Sequence, residues 1–123
     1  MRVGVDLVDV AASRARFDGR DDVLADTFSQ AELAYCRAQK EPWAHLAARF
    51  AAREATLKAL GTGLAGRITW RDIEVTRDPA GTPGLVFRGA ADAAMRRAGL
   101  RLAAVSLSHT DTHAIAVVVL LEA

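Results

Sequence analysis

The sequence predicts an α+β fold, a largely antiparallel sheet packed on one long helix. Three observations carry that reading. A β-branched run, "RVGVDLVDV", opens the chain, and a stretch of strong helix formers without glycine runs from Pro42 to Gly61. In the last half, two pairs of short apolar runs are each joined by turn-forming residues and separated by a helical stretch. No repeat, low-complexity segment or linker divides the 123 residues, so residues 1–123 are expected to form a single domain.

Taken in order, the opening run reads as a strand with Val3, Val5 and Leu7 on one face and Gly4, Asp6 and Val8 on the other. A short helical segment carrying Arg14 and Arg16 follows. "FSQAELAYC" is a helix start, with Ser29 as N-cap and Glu32 as the N3 partner of a capping box. That helix fades before "KEPW", where Pro42 suits the first turn of the long helix and Gly61 suits its end. "DIEVTRD" and "GLVFRG" form strands around the turn-rich "PAGTP". "AADAAMRRAG" is a helix stopped by Gly99. "LAAVSLSH" and "HAIAVVVLL" are strands joined by "TDT". The last is apolar on both faces, which places it centrally in the sheet or under another subunit.

The long helix contains an anomaly. At about 100° per residue, Trp43, Ala47, Phe50 and Leu57 share one direction within roughly 40°, and Glu54 projects along the centre of that stripe. Lys58 lies at its edge, while Arg49 and Arg53 turn progressively away. A carboxylate so placed must be neutralised, paired or bound to a metal. An intrahelical pair with Lys58 is the plain alternative.

Composition narrows the choice. Sixteen Lys and Arg against fifteen Asp and Glu give no bulk electrostatic signal for nucleic acid or a membrane surface. The one cysteine, Cys36, forms no intrachain disulfide or zinc cluster and is expected to be packed. The N-terminus lacks signal-peptide architecture and the C-terminal apolar run is too short to span a bilayer, so a cytoplasmic protein is expected.

Three polar residues interrupt apolar segments, namely Asp6, Glu54 and His109. His109 alone reads as a satisfied hairpin histidine, and His45 and His113 as surface or packing residues. Two carboxylates without a thiol or histidine cluster suit a hard cation such as magnesium, completed by substrate phosphates and water. The loop "GTGLAGR" follows Lys58, and its glycines let backbone N–H groups approach an anion, although a C-cap and turn explains them equally well. Arg49, Arg53 and Lys58 either bind the phosphates of a cofactor or form a solvated face. The economical reading is a magnesium-dependent site for a pyrophosphate-containing substrate.

The segments "VGVDLVDV", "FSQAELAYC", "ARFAAREATLKALGTG", "RDIEVTRDPAGTPGLVF" and "VSLSHTDTHAIAVVVLLE" together resemble holo-acyl-carrier-protein synthases, the short, single-domain 4′-phosphopantetheinyl transferases. The resemblance covers nearly the whole chain and implies the fold of that family. It implies transfer of 4′-phosphopantetheine from coenzyme A to a serine of an apo acyl carrier protein, with release of adenosine 3′,5′-bisphosphate, in fatty-acid or polyketide biosynthesis.

By the same resemblance, Asp6 and Glu54 match magnesium ligands and Lys58 the lysine that neutralises phosphate charge. Gly61, Thr62, Gly63, Ser108 and His109 match segments beside the nucleotide. Glu54, directly or through a water, is the expected base, with His109 as second choice. A homotrimer with active sites between subunits is implied, as is an acidic carrier docking on Arg14 and Arg16. Arg53 stands where the family usually has lysine, "TDT" replaces a commoner lysine-containing turn, and Ala12 stands close to a position that is often basic. Two rival functions use the same residues: a non-catalytic homologue that binds a carrier or coenzyme A, and a magnesium-dependent hydrolase of a nucleotide diphosphate.

Overall fold

The computed structural model describes all 123 residues. Strand β1 (Arg2–Asp9) is followed by three short helices, α1 (Val10–Phe17), α2 (Asp21–Thr27) and α3 (Gln30–Arg37), and by the long α4 (Pro42–Leu60). A 3-10 turn (Trp70–Asp72) leads into β2 (Ile73–Arg77) and β3 (Pro83–Phe87), then α5 (Gly89–Arg97), β4 (Leu102–His109) and β5 (His113–Leu121). The order β1-β5-β4 forms one antiparallel sheet, and β2-β3 a separate hairpin. The expected strand, helices, hairpin, helix and hairpin are therefore present. Helix α2 is additional to the single short helix read from the sequence, and Asp21 and Asp22 at its positive N-terminal end favour it.

Helix α4 begins with Pro42 at its first turn and stops at Gly61, which takes the left-handed conformation with φ 75°. It is not a two-sided amphipathic helix. Fourteen of its nineteen residues are buried, because it lies between the three-stranded sheet and the α1–α3 layer. Ala51, Ala52, Ala55 and Ala59 belong to the core shared with Ala116, Val118 and Leu120 of β5. Leu46 and Phe50 join Phe17, Phe28, Leu33 and Cys36 in a second cluster. Cys36 is inert filling there, since burial pushes its thiol pKa up to about 11.

Small residues set the spacing between sheet and helix. A Cβ on Gly4 would sit 1.8 Å from the carbonyl oxygen of Ala55, so β1 crosses α4 backbone against backbone. Strand β5 is central, and Ala114, Ala116, Val118 and Leu120 on one of its faces are buried. The other face of the sheet is open. There Val3 is 57%, Val5 49%, Leu7 64% and Leu102 55% exposed.

The structure removes one of the two alternatives for Arg49 and Arg53, the solvated face. Arg49 and Arg53 do not turn towards solvent but are 2% and 0% exposed. The Arg53 guanidinium makes a bidentate pair with Glu32, and its Nε donates to the Trp70 carbonyl at 2.9 Å. Glu32 is the capping-box residue, but its carboxylate also accepts from the backbone N–H of Val75 at 3.2 Å. One buried ion pair thus ties α3, α4, the 3-10 turn and β2 together, with its charges hydrogen-bonded as burial requires.

Candidate active site

Asp6, Glu54 and Lys58 converge where β1 crosses α4. Strand alternation puts Asp6 on the face of β1 that Gly4 presses onto the helix, two residues further along. Lys58 Nζ lies 2.8 Å from Asp6 Oδ1 and donates to the Val5 carbonyl at 3.1 Å. The intrahelical Glu54–Lys58 pair is therefore not the arrangement adopted. Glu54 makes neither ion pair nor hydrogen bond, although it is flanked by buried Phe50 and Leu57. Partial burial raises its carboxyl pKa above the ordinary range, and the neighbouring Asp6 charge adds to the rise. The cations of Arg16 and Lys58 oppose it. The Asp6 contact in turn raises the pKa of the Lys58 ammonium.

A cleft of about 400 Å³ opens beside this group, lined by Glu54, Leu57, Lys58, Gly61, Gly63, Leu64 and Trp70. Gly61 and Gly63, with φ 75° and 55°, give the loop a backbone course that side-chain-bearing residues resist. Thr62 is exposed, with Oγ1 donating to the Gly63 carbonyl at 3.1 Å. Trp70 and Leu64 were not singled out from the sequence; both lie on or just beyond an irregular loop, where no periodicity marks them. No three His, Cys, Asp or Glu residues cluster as a metal cage. The protein offers two carboxylates, one of them without a partner, and this donor set fits a hard divalent cation that takes its remaining oxygens from a diphosphate.

The remaining predicted site residues lie elsewhere in the chain. Ser108 is exposed on the open sheet face, in register with Ile115. His109 faces the N-terminal end of α4, its ring 5.0 Å from that of His45. It lines a 360 Å³ cavity with Arg14, Trp43 and Asp111. His45 also meets Tyr35, so it is a packing residue, as expected. Within one chain, then, His109 does not reach Glu54.

Arg49 points towards α3 and β2. Its guanidinium is 4.6 Å from the Tyr35 ring, with Arg77 at 4.7 Å, and its buried Nε has no partner. Arg53 offers no free face to any cofactor, which corrects that assignment. Four of its five N–H groups are spent on Glu32, Trp70 and the Arg49 carbonyl, and the side chain is fully buried.

Arg14 and Arg16 are both exposed on α1, but two residues of a helix are separated by about 200°. Arg14 pairs with Asp18 at 3.2 Å and lies over Trp43. Arg16 makes no ion pair and stacks 4.6 Å above Phe50, on the Glu54 side.

Residues 2–118 match the model of the 4′-phosphopantetheinyl transferase superfamily. The chain is 43% identical over 120 residues to the holo-[acyl-carrier-protein] synthase of Koribacter versatilis, covering 95% of this chain and 94% of that one. It is 42% identical to the synthase of Moorella thermoacetica, covering 95% and 91%. Among solved structures it is similar to the Helicobacter pylori synthase in complex with coenzyme A, with TM-score 0.83, 26% identity and coverage of 97% and 99%. The Neisseria meningitidis synthase gives TM-score 0.84 at 27% identity, covering 98% of each chain.

Proposed function

The chain belongs to the 4′-phosphopantetheinyl transferase superfamily, and we infer on that premise that it is a holo-[acyl-carrier-protein] synthase. It transfers phosphopantetheine from coenzyme A to a serine of an apo acyl carrier protein and releases adenosine 3′,5′-bisphosphate. The observation that carries this reading is the unpaired Glu54 beside Asp6 and Lys58, at the mouth of a cleft walled by Gly61 and Gly63. That geometry suits a diphosphate, and relatives of the chain bind coenzyme A.

Asp6 and Glu54 would hold magnesium, which would supply charge neutralisation for the diphosphate and its leaving group. Lys58 spends two of its three N–H groups on Asp6 and Val5, and the third is available to a phosphate oxygen. The serine hydroxyl attacks the phosphorus bearing pantetheine, and the bond to the bridging oxygen breaks. Glu54 takes the serine proton, directly or through a water. The positive ammonium and the glycine-loop N–H groups favour the charge that develops on the departing bisphosphate.

The cofactor-binding residues are Lys58, Gly61, Thr62 and Gly63 from one copy, with Arg49, Ser108 and His109 from another. The separation of Ser108 and His109 from the Glu54 cleft within a single chain supports that division. The open sheet face bearing Val3, Val5, Leu7, Leu102 and Val117 is the apolar surface on which copies would meet, as a homotrimer. Arg14 and Arg16 receive the acidic carrier. No helix is long and apolar enough to cross a membrane, and a cytoplasmic setting agrees with the substrates.

Product analysis tests the reading. Adenosine 3′,5′-bisphosphate should form only when apo carrier is present. Release without an acceptor would make the chain a hydrolase, and no release with fatty-acid or polyketide carriers would make it a binder.

A further inference from the structure

Arg49 and His109, both assigned above to donor binding, stand at the two ends of one pair of side chains. On α3, Tyr35 is half-buried and carries the Arg49 guanidinium 4.6 Å from its ring. In the first turn of α4, His45 meets Tyr35 edge to face, with 5.9 Å between ring centroids and 75° between planes. On its other side His45 meets His109 at the end of β4, at 5.0 Å and 64°. Arg49 Nη1 also donates to the His45 carbonyl at 3.2 Å. His45 therefore touches both groups, one through its ring and one through its backbone.

His109 has little else to hold it. It is exposed on the last residue of β4, and its imidazole makes neither hydrogen bond nor ion pair. An exposed side chain without a polar partner samples several rotamers, and a ring packed against one side of it selects among them. His45 suits this task while it is uncharged. Burial lowers its pKa below the ordinary histidine value, and the neighbouring charges of His109, Arg49 and Arg77 lower it further. With Tyr35, these are the titratable and charged groups facing it, from β4, α4, β2 and α3. A neutral ring lies against a protonated His109 without charge repulsion. A second imidazolium 5.0 Å away would oppose the proton that His109 needs to meet a phosphate.

We propose that His45 is a positioning residue for the donor, its ring bracing His109 in the orientation that, together with Arg49, receives a phosphate of the coenzyme A nucleotide. This role rests on the transferase reading. His45 touches no reacting atom and acts through His109, while Arg49 is held at the far end of the same Tyr35–His45 pair.

The test compares His45→Phe, which keeps an aromatic ring, with His45→Ala and His45→Gln, which do not. Both ringless variants should raise the KM for coenzyme A about threefold to tenfold, the worth of one aromatic pair. Their kcat and their KM for the apo carrier should stay unchanged. Binding of adenosine 3′,5′-bisphosphate, titrated without carrier, should weaken by the same factor. His45→Phe should bring both quantities back to within about twofold of the parent. In a His109→Ala background, His45→Ala should have little further effect, because the group it acts through is gone. Unchanged bisphosphate affinity in both ringless variants, failure of His45→Phe to restore it, or additive effects of His45→Ala and His109→Ala would overturn the assignment. Absence of transfer by the parent chain would instead overturn the transferase reading, and the bisphosphate titration would still decide the role of His45.

Discussion

Replacing Gly4 by alanine tests whether the approach of β1 to α4 builds the site. The added Cβ would lie 1.8 Å from the Ala55 oxygen, 2.8 Å from its carbonyl carbon and 3.1 Å from Ala59 N. These are backbone atoms of a buried helix, so no rotamer can relieve the contact. Reaching even 3.0 Å needs about 1.2 Å of separation between strand and helix. Overpacking of this kind costs roughly 3 kcal/mol, which lowers Tm by about 10 °C in a domain of this size. The same displacement moves Asp6 away from Glu54, and metal donors tolerate only about 0.2 Å. We expect Mn²⁺ affinity to fall at least about tenfold, as when a supporting group is lost. Thermal unfolding and a Mn²⁺ titration would measure both effects. A Tm within 2 °C of the parent together with unchanged Mn²⁺ affinity would refute the reasoning.

Three further outcomes are expected. Arg53→Met strands the buried Glu32 carboxylate with only two backbone donors, Ser29 and Val75. It should cost about 3–5 kcal/mol in urea denaturation, partly recovered by adding Glu32→Gln. Lys58→Met frees Asp6 from its ammonium partner. Mn²⁺ binding without coenzyme A should tighten while transfer falls, and a weaker Mn²⁺ titration would contradict this. Glu54→Gln removes a carboxyl whose folded pKa is raised. The folded state binds that proton more tightly than the unfolded state, so stability is lost as pH rises from the ordinary carboxylate pKa through the folded value. The variant should therefore exceed the parent in Tm at pH 7 and match it near pH 4.

Asp6 and Glu54 were legible in the sequence because each is a charge inside an apolar pattern, and only a physical reason keeps one there. Pro42 and Gly61 bounded α4 for the same local reasons that operate in the structure. Arg53 was not legible. Its partner Glu32 already had a sufficient local explanation as a capping residue, and nothing in the chain signals that one carboxylate serves two purposes across twenty-one positions. Gly4 looked like an ordinary strand residue, since close approach to a helix carbonyl is a tertiary fact. Ser108 and His109 read as one motif, yet strand alternation sends them to opposite faces. Arg14 and Arg16 both stay exposed on α1 as a docking surface requires, although helix periodicity turns them about 200° apart.

The claim that matters most is that the Asp6–Glu54 pair is the chemical centre. It is tested most directly by the intact mass of an apo carrier incubated with coenzyme A, magnesium and either the parent chain or Glu54→Gln. The account predicts a gain of one phosphopantetheine with the parent, abolished by a chelator, and none with the variant. Full modification by Glu54→Gln, or by the parent under chelation, would contradict it.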